Sequence, residues 1–180
     1  MAVTLAVLWL LQAPGGAAAR VREIAYARVP LAEKVASDSQ LVSAVTAKNT
    51  SGETPEDVQR KDREWIANAK SPLRGEMTKG ACADRLRSLV QDDTFVVEAF
   101  LTDANGALVC ASRETSDYWQ GDEPKWQKTY GEGKRLFIDE PAQDASAGVY
   151  AIQLSTLVSS GGQKAGALTL TLKIPASAVH

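Results

Sequence analysis

Apolar residues along this chain recur first at helical spacing and then, beyond Gln91, at every second position. Leu31, Val35, Leu41, Val42 and Val45 fall at intervals that gather them on one side of a helix ending near Asn49. Pro30 is either a first-turn residue of that helix or a kink within it, if the helix begins nearer Val21. A second start signal follows, because Thr54 can cap, Pro55 fits the first helical position and Asp57 stands where a reciprocal capping partner belongs. Val58, Trp65 and Ala69 then share a face with Asp62 among them, and after Gly80 a third stripe is formed by Cys82, Leu86, Leu89 and Val90. All three stripes read as core contacts without chemistry.

Between Leu101 and Leu172 the pattern predicts five strands with one long loop between the second and the third. Phe95, Val97, Ala99 and Leu101 alternate with other residues, Asp103-Ala104-Asn105-Gly106 is a tight turn, and Ala107 to Ser112 returns. Further on, Tyr150, Ile152 and Leu154 alternate with their neighbours, Ser160-Gly161-Gly162-Gln163 reverses the chain, and Leu168, Leu170, Leu172 and Ile174 make a strand apolar on one face only. Helices first and an antiparallel meander second predict an α+β fold, with the helices covering one face of a five-stranded sheet. The other face is then left for a loop or a ligand.

The long loop is where function is expected. Thr115-Ser116-Asp117-Tyr118-Trp119-Gln120-Gly121-Asp122-Glu123-Pro124-Lys125-Trp126 holds two Trp, one Tyr and three acids in a dozen residues. Large aromatic faces are unfavourable in a solvated connector, since they order water, and they suit a cap folded over a small polar guest.

The 180 residues, 44% of them hydrophobic, are enough for one domain with a sizeable core and too few for two. Lys and Arg number 20 against 22 Asp and Glu, a net charge of -2, so no broad cationic field exists for phosphate backbones and nucleic acid is not an expected partner. Val3 to Leu11 is a short apolar run, broken by Pro14-Gly15-Gly16 and followed by the small residues Ala17-Ala18-Ala19. Residues 1–19 therefore read as an export signal, with Arg20 opening the mature domain 20–180, although no Lys or Arg precedes the apolar run; a buried N-terminal helix of a cytosolic protein is the other reading. The run is too short to span a bilayer, and the exported chain would be periplasmic or secreted. Cys82 and Cys110 are the only cysteines and either bridge or stay as buried thiols. With one histidine, His180, there is neither a zinc cluster nor a histidine-dependent triad, and no cofactor is implied.

Several of these segments together resemble one family. Asp103-x-Asn105-Gly106 before a strand, Thr115 to Glu123 with Trp126, and Asp144-x-Ser146-x-Gly148-Val149-Tyr150 are similar to the single Cache (PDC, PAS-like) extracellular sensors. Leu41-Val42-x-Ala44-Val45 with Lys48-Asn49, and Asp62 with Trp65, are similar to that family's long N-terminal helix and the helix after it. The resemblance covers Leu31 to Ile174. It implies a module that binds small molecules outside the cytoplasmic membrane, as the input domain of a histidine kinase, chemoreceptor or cyclase, and no enzymatic activity. It also implies a pocket over the sheet roofed by Asp117, Tyr118, Trp119, Asp122 and Trp126, with Asp144 and Tyr150 in the floor.

Aromatic rings that face a cation and carboxylates that pair with an ammonium or bind hydroxyls favour an amine, a zwitterion or a polyol over a bare anion. Amino-acid-binding members of the broader group carry an Arg two residues before the loop Trp and a Tyr just after it. Here those positions are Pro124 and Gln127, so no α-carboxylate fork is in place. Each candidate has a structural reading as well: Trp119 and Trp126 as the loop's own core, Asp117 and Asp122 as caps of a short helix from Glu123 to Tyr130, and Asp144 with Ser146 as a self-satisfied turn. Sensors of the family continue into a membrane helix and a transmitter, whereas this sequence stops at His180. The expectation is a binding protein reporting to a separate membrane receptor or histidine kinase, a scavenger, or a fragment of a receptor, with the first helix available to pair two copies. The alternative function is a ligand-free regulatory protein of the same fold. A hydrolase built on Asp122 and Asp144 lacks a nucleophile with a recognisable base.

Overall fold

The computed structural model describes residues 14–179. The apolar run Val3–Leu11, on which the export-signal expectation rests, lies outside them, as does His180. The N-terminal arm is helical from Pro14 to Asn49 with two breaks: α1 (Pro14–Tyr26), α2 (Val29–Ala36) and α3 (Ser39–Asn49). Pro30 sits in the first turn of α2, where it has no ladder bond to lose, and Asp38 starts α3 by accepting the N–H groups of Gln40 and Leu41. The start of α4 (Pro55–Ala67) is the reciprocal box expected from its sequence: Asp57 N–H donates to Thr54 Oγ1 at 3.2 Å and Thr54 N–H to Asp57 Oδ2 at 3.3 Å. Two shorter helices follow, α5 (Pro72–Thr78) and α6 (Ala81–Val90).

The sheet is antiparallel throughout. β1 (Val96–Thr102), β2 (Leu108–Ala111), β3 (Leu136–Ile138), β5 (Val149–Ser160) and β6 (Gln163–Pro175) lie in the order β2-β1-β6-β5-β3. The sixth strand, β4 (Ala142–Asp144), also pairs with β5; its polar sequence gives no alternation to read. The β5–β6 hairpin turns on Gly161 and Gly162, both at positive φ (56° and 79°), the conformation a two-residue turn between twisted strands requires.

Alternation gives the sheet two unlike faces. Ala99 and Leu101 of β1, Leu154 and Val158 of β5, and Leu168 and Leu170 of β6 form the main core with Val35, Leu41, Val45 and Leu86 of the helices. Towards the far end, Ile152, Leu172 and Ile174 take up Val21, Ile24 and Ala25 of α1. Cys82 of α6 and Cys110 of β2 are joined as a disulfide across this layer, with Cα atoms 6.0 Å apart. The expectation placed every helix on one face, but α4 and α5 pack on the other: Val58, Trp65 and Leu73 meet Phe100, Ala107, Leu108, Ala111 and Tyr118. Phe100 points opposite to Leu101 because strand side chains alternate, and a Trp as large as Trp65 needs this second surface to be fully buried.

Candidate functional site

The β2–β3 loop is anchored before it reaches the sheet. Asp103 Oδ1 accepts the N–H groups of Asn105 (2.8 Å) and Ala107 (2.9 Å), closing the β1–β2 turn, and the loop strand at Trp119 then runs antiparallel beside Ala107. Leu108 N–H donates to Tyr118 O at 3.0 Å and Gln120 N–H to Gly106 O at 2.7 Å. From α4, Asp62 Oδ1 accepts both Tyr118 N–H and Trp119 N–H at 3.0 Å. Trp65 Nε1 donates to Thr115 O at 3.1 Å.

The three aromatic residues expected in the roof are fastened to the protein itself. Trp119 Nε1 donates to Asn105 O (2.9 Å) and its ring fills the gap beside Gly121, where an added Cβ would lie 2.5 Å from that nitrogen. Trp126 Nε1 donates to Asp103 O (3.1 Å), and its ring stacks on Tyr130 with centroids 5.2 Å apart. Tyr118 is fully buried, and its hydroxyl meets Lys48 Nζ (2.8 Å) and Glu53 Oε2 (3.1 Å). Burial alone would raise Glu53, but hydrogen bonds from Lys48 and Lys61 outweigh it and hold the carboxyl below its ordinary range, while burial and Glu53 push the Tyr118 phenol up. Trp119 and Trp126 do show their faces to a shallow cleft of about 260 Å³, shared with Pro55, Val58 and Ala104.

Asp144 and Tyr150 are not in the floor. Tyr150 pairs with Ile174 of β6, whereas Thr102, at the loop's anchoring turn, pairs with Ala167. Those two β6 positions are seven residues apart, roughly 23 Å at a strand's ~3.3 Å per residue. Tyr150 packs in the α1 core, and exposed Asp144 binds Ser146 Oγ (2.6 Å) and Ala147 N–H (3.1 Å), the self-satisfied turn, which lowers its pKa. Asp122 is exposed, and the short helix α7 (Pro124–Trp126), which runs on as a π-helical turn Gln127–Gly131, has no side-chain cap from it.

What lies between loop and sheet is a polar, charged layer that pattern reading missed. On the Phe100 face the register sets Glu98 beside Thr171 and Gln153, and Phe100 beside Thr169 and Ser155. Gln153 Nε2 donates to Thr171 Oγ1 (3.2 Å), which donates to Glu98 Oε2 (2.8 Å); Ser155 and Thr169 hydroxyls meet at 2.9 Å. Above this row Lys125 of α7 is buried, its ammonium 5.6 Å from the Phe100 ring centroid and paired with Glu123. Burial raises the Glu98 carboxyl above its ordinary range against the pull of Thr171, Lys125 and Arg113. Asp117, half-buried and bonded by Gln120, is raised by burial and then by Glu123. The sequence signal for Glu98 is its place as the one charged residue within Phe95–Leu101. Such a layer can seat an ammonium against carboxylates and a hydroxyl-bearing group against the Ser/Thr row. Among the described residues no cluster of three or more His, Cys, Asp or Glu offers a metal site, and no helix is long and apolar enough to cross a membrane.

No protein-family model matches the chain, and no curated protein matches it. Solved structures that it is similar to include ligand-binding and sensor domains of chemoreceptors and a histidine kinase. They include the ligand-binding domain of the amino-acid chemoreceptor PctC of Pseudomonas aeruginosa in complex with GABA, 17% identical over 88% of this chain and 57% of that one, TM-score 0.47. The sensor domain of the histidine kinase DctB of V. cholerae matches at 11% identity over 91% and 53%, TM-score 0.46. The ligand-binding domain of the Pseudomonas fluorescens chemoreceptor CtaA in complex with L-serine matches at 14% over 87% and 54%, TM-score 0.40. The chain spans about half the length of these solved chains.

Proposed function

We propose that this chain is a Cache-type sensor module that binds one small molecule between the β2–β3 loop and the Glu98 face of the sheet. The observation that carries the reading is a half-buried Glu98 on a hydroxyl row directly under a buried Lys125. Buried charges add little to stability compared with apolar residues of the same volume, so an ionic layer here calls for a functional reason. Three carboxylates, Glu98, Asp117 and Glu123, outnumber the two cations that act on them, Lys125 and Arg113, which favours a ligand with a cationic amine; Lys125 can take the acid end of a zwitterion, and Ser155, Thr169 and Thr171 can take hydroxyls. A bare anion is disfavoured. Tyr118, Trp119 and Trp126 serve the site by positioning the loop, while Asp122, Asp144 and Tyr150 lie outside it. Native mass spectrometry of protein purified gently from its source tests this reading: one retained small mass per chain is expected, and a chain that is bare and is also not stabilised by any of a panel of amines, zwitterions and polyols counts against it.

One observation favours a second reading, a regulatory protein that takes no ligand. The polar atoms of Tyr118, Trp119 and Trp126 are satisfied within the chain, so the loop's place needs no bond to a guest. Co-purification of one membrane receptor or kinase, with no small mass retained, would decide for it.

Export belongs to the same proposal. Removal of residues 1–19 leaves Val21, Ile24 and Ala25 in the mature core, and a disulfide persists in an oxidising compartment. An intact mass starting at Arg20 is the expected product. Pairing of two copies through the arm, which leaves Tyr26 exposed on α1, is tested by sedimentation of the mature chain.

A further inference from the structure

We propose that the groove between the C-terminal end of α6 and the start of β1 is a second binding site, for a carboxylate carrying a short aliphatic chain. The groove encloses about 320 Å³ and arises because β2 is short. After Ala111 the chain makes its last bonds to β1, Ser112 N–H to Ala99 O at 2.8 Å and Ala99 N–H to Ser112 Oγ at 2.9 Å, and then turns away. Among the described residues no strand therefore lies beside β1 on this side before Ala99. Val90, Val96 and Val97 line the space so exposed, with Arg87, Ser112 and Arg113 around them.

The charge around this apolar floor is one-sided. Arg87 is held in place at its own end of α6, its Nη1 donating to Thr78 O (2.9 Å) and Ser112 O (3.0 Å), while Nη2 meets exposed Asp84. Arg113 is exposed and has no ion pair among the described residues. Among the described residues no carboxylate lines the groove. A guanidinium that is already fixed by backbone carbonyls and a second that feels Glu98 but makes no ion pair with it form a forked receptor for a carboxylate, and three valines beside them shelter a hydrocarbon chain. The acid-rich layer under Lys125 selects the opposite charge, so the two sites call for different ligands.

Calorimetric titration of the disulfide-intact protein with butanoate, hexanoate, octanoate and 1-octanol tests the assignment. Affinity should tighten about fourfold for each methylene buried, octanoate should outbind 1-octanol at least ~10-fold, and raised salt should weaken it. Arg113→Gln, at an exposed position and checked for an unchanged melting curve, should weaken octanoate about tenfold. No binding at roughly millimolar octanoate, equal binding of 1-octanol, or an affinity that Arg113→Gln leaves unmoved overturns the proposal.

Discussion

The Tyr118 hydroxyl lies 2.8 Å from the Lys48 ammonium, which ties the middle of the β2–β3 loop to the last turn of the helical arm. Glu53, from the segment between α3 and α4, closes the triangle: it accepts from Tyr118 at 3.1 Å, lies 2.7 Å from Lys48, and also pairs with Lys61. A buried carboxylate with three donors is satisfied, and the phenol is held neutral by its surroundings.

Tyr118→Phe keeps the ring in contact with Trp65 and deletes only the hydroxyl. Loss of that one buried partner is expected to cost about 1–3 kcal/mol, whereas Tyr118→Ala, which also opens a cavity, should cost about 3–5 kcal/mol. Urea unfolding of the two variants beside the parent measures both; a Tyr118→Phe variant as stable as the parent would mean that the hydroxyl contributes nothing.

Asp62 holds the loop by its backbone. With Asp62→Ala, two N–H groups at Tyr118 and Trp119 lose their acceptor, and the loop should open locally before the sheet does. Limited proteolysis is expected to cut first between residues 112 and 135 and faster than in the parent. A cleavage map identical to the parent's would show that the Trp119 and Trp126 anchors suffice.

The carboxylates respond to pH in opposite directions. Glu53, with a depressed pKa, stabilises the fold above its unfolded pKa, and that contribution is lost as pH falls through its folded value. Glu98 and Asp117, with raised values, are easiest to keep folded when protonated, so their cost appears as pH rises from the ordinary carboxylate range, near ~4.3 for Glu, through their folded values. Glu98→Gln removes one such cost. Its urea midpoint should exceed the parent's at neutral pH and approach it in acid; a variant less stable than the parent at neutral pH contradicts this assignment.

Reduction tests the link between α6 and β2. Cys82 and Cys110 are 28 positions apart, and freeing a loop of that length is expected to lower stability by about 3–4 kcal/mol on the chain-entropy account. Comparing urea midpoints with and without dithiothreitol measures it, and an unchanged midpoint would rule out a stabilising bridge.

What the sequence made legible is local. The Thr54–Asp57 box, the Asp103–Gly106 turn and the Gly161–Gly162 hairpin each depend on residues a few positions apart, and each stands where the pattern put it. The arrangement of the loop was less readable because its partners come from far along the chain: Tyr118 is met by Lys48 and Glu53, 70 and 65 positions away. Tyr150 was expected under the loop, but β5 is twelve residues long, and its register with β6 carries Tyr150 to the far end of the sheet. Glu98 is hard to read from sequence for the converse reason. It sits in an apolar strand, and only the pairing with Thr171 and the burial of Lys125 give it a partner.

The proposed function has a small amine held by Glu98 beneath the loop. Its most direct test is calorimetric titration of the amine or zwitterion that most raises the melting temperature, with the parent and with Glu98→Gln. One site per chain is expected, with an affinity at least ~10-fold weaker in the variant, whose fold is no less stable, since a charge-assisted bond to a carboxylate is being removed. Equal affinity in the two proteins, or a panel in which no amine or zwitterion stabilises the parent, would contradict it.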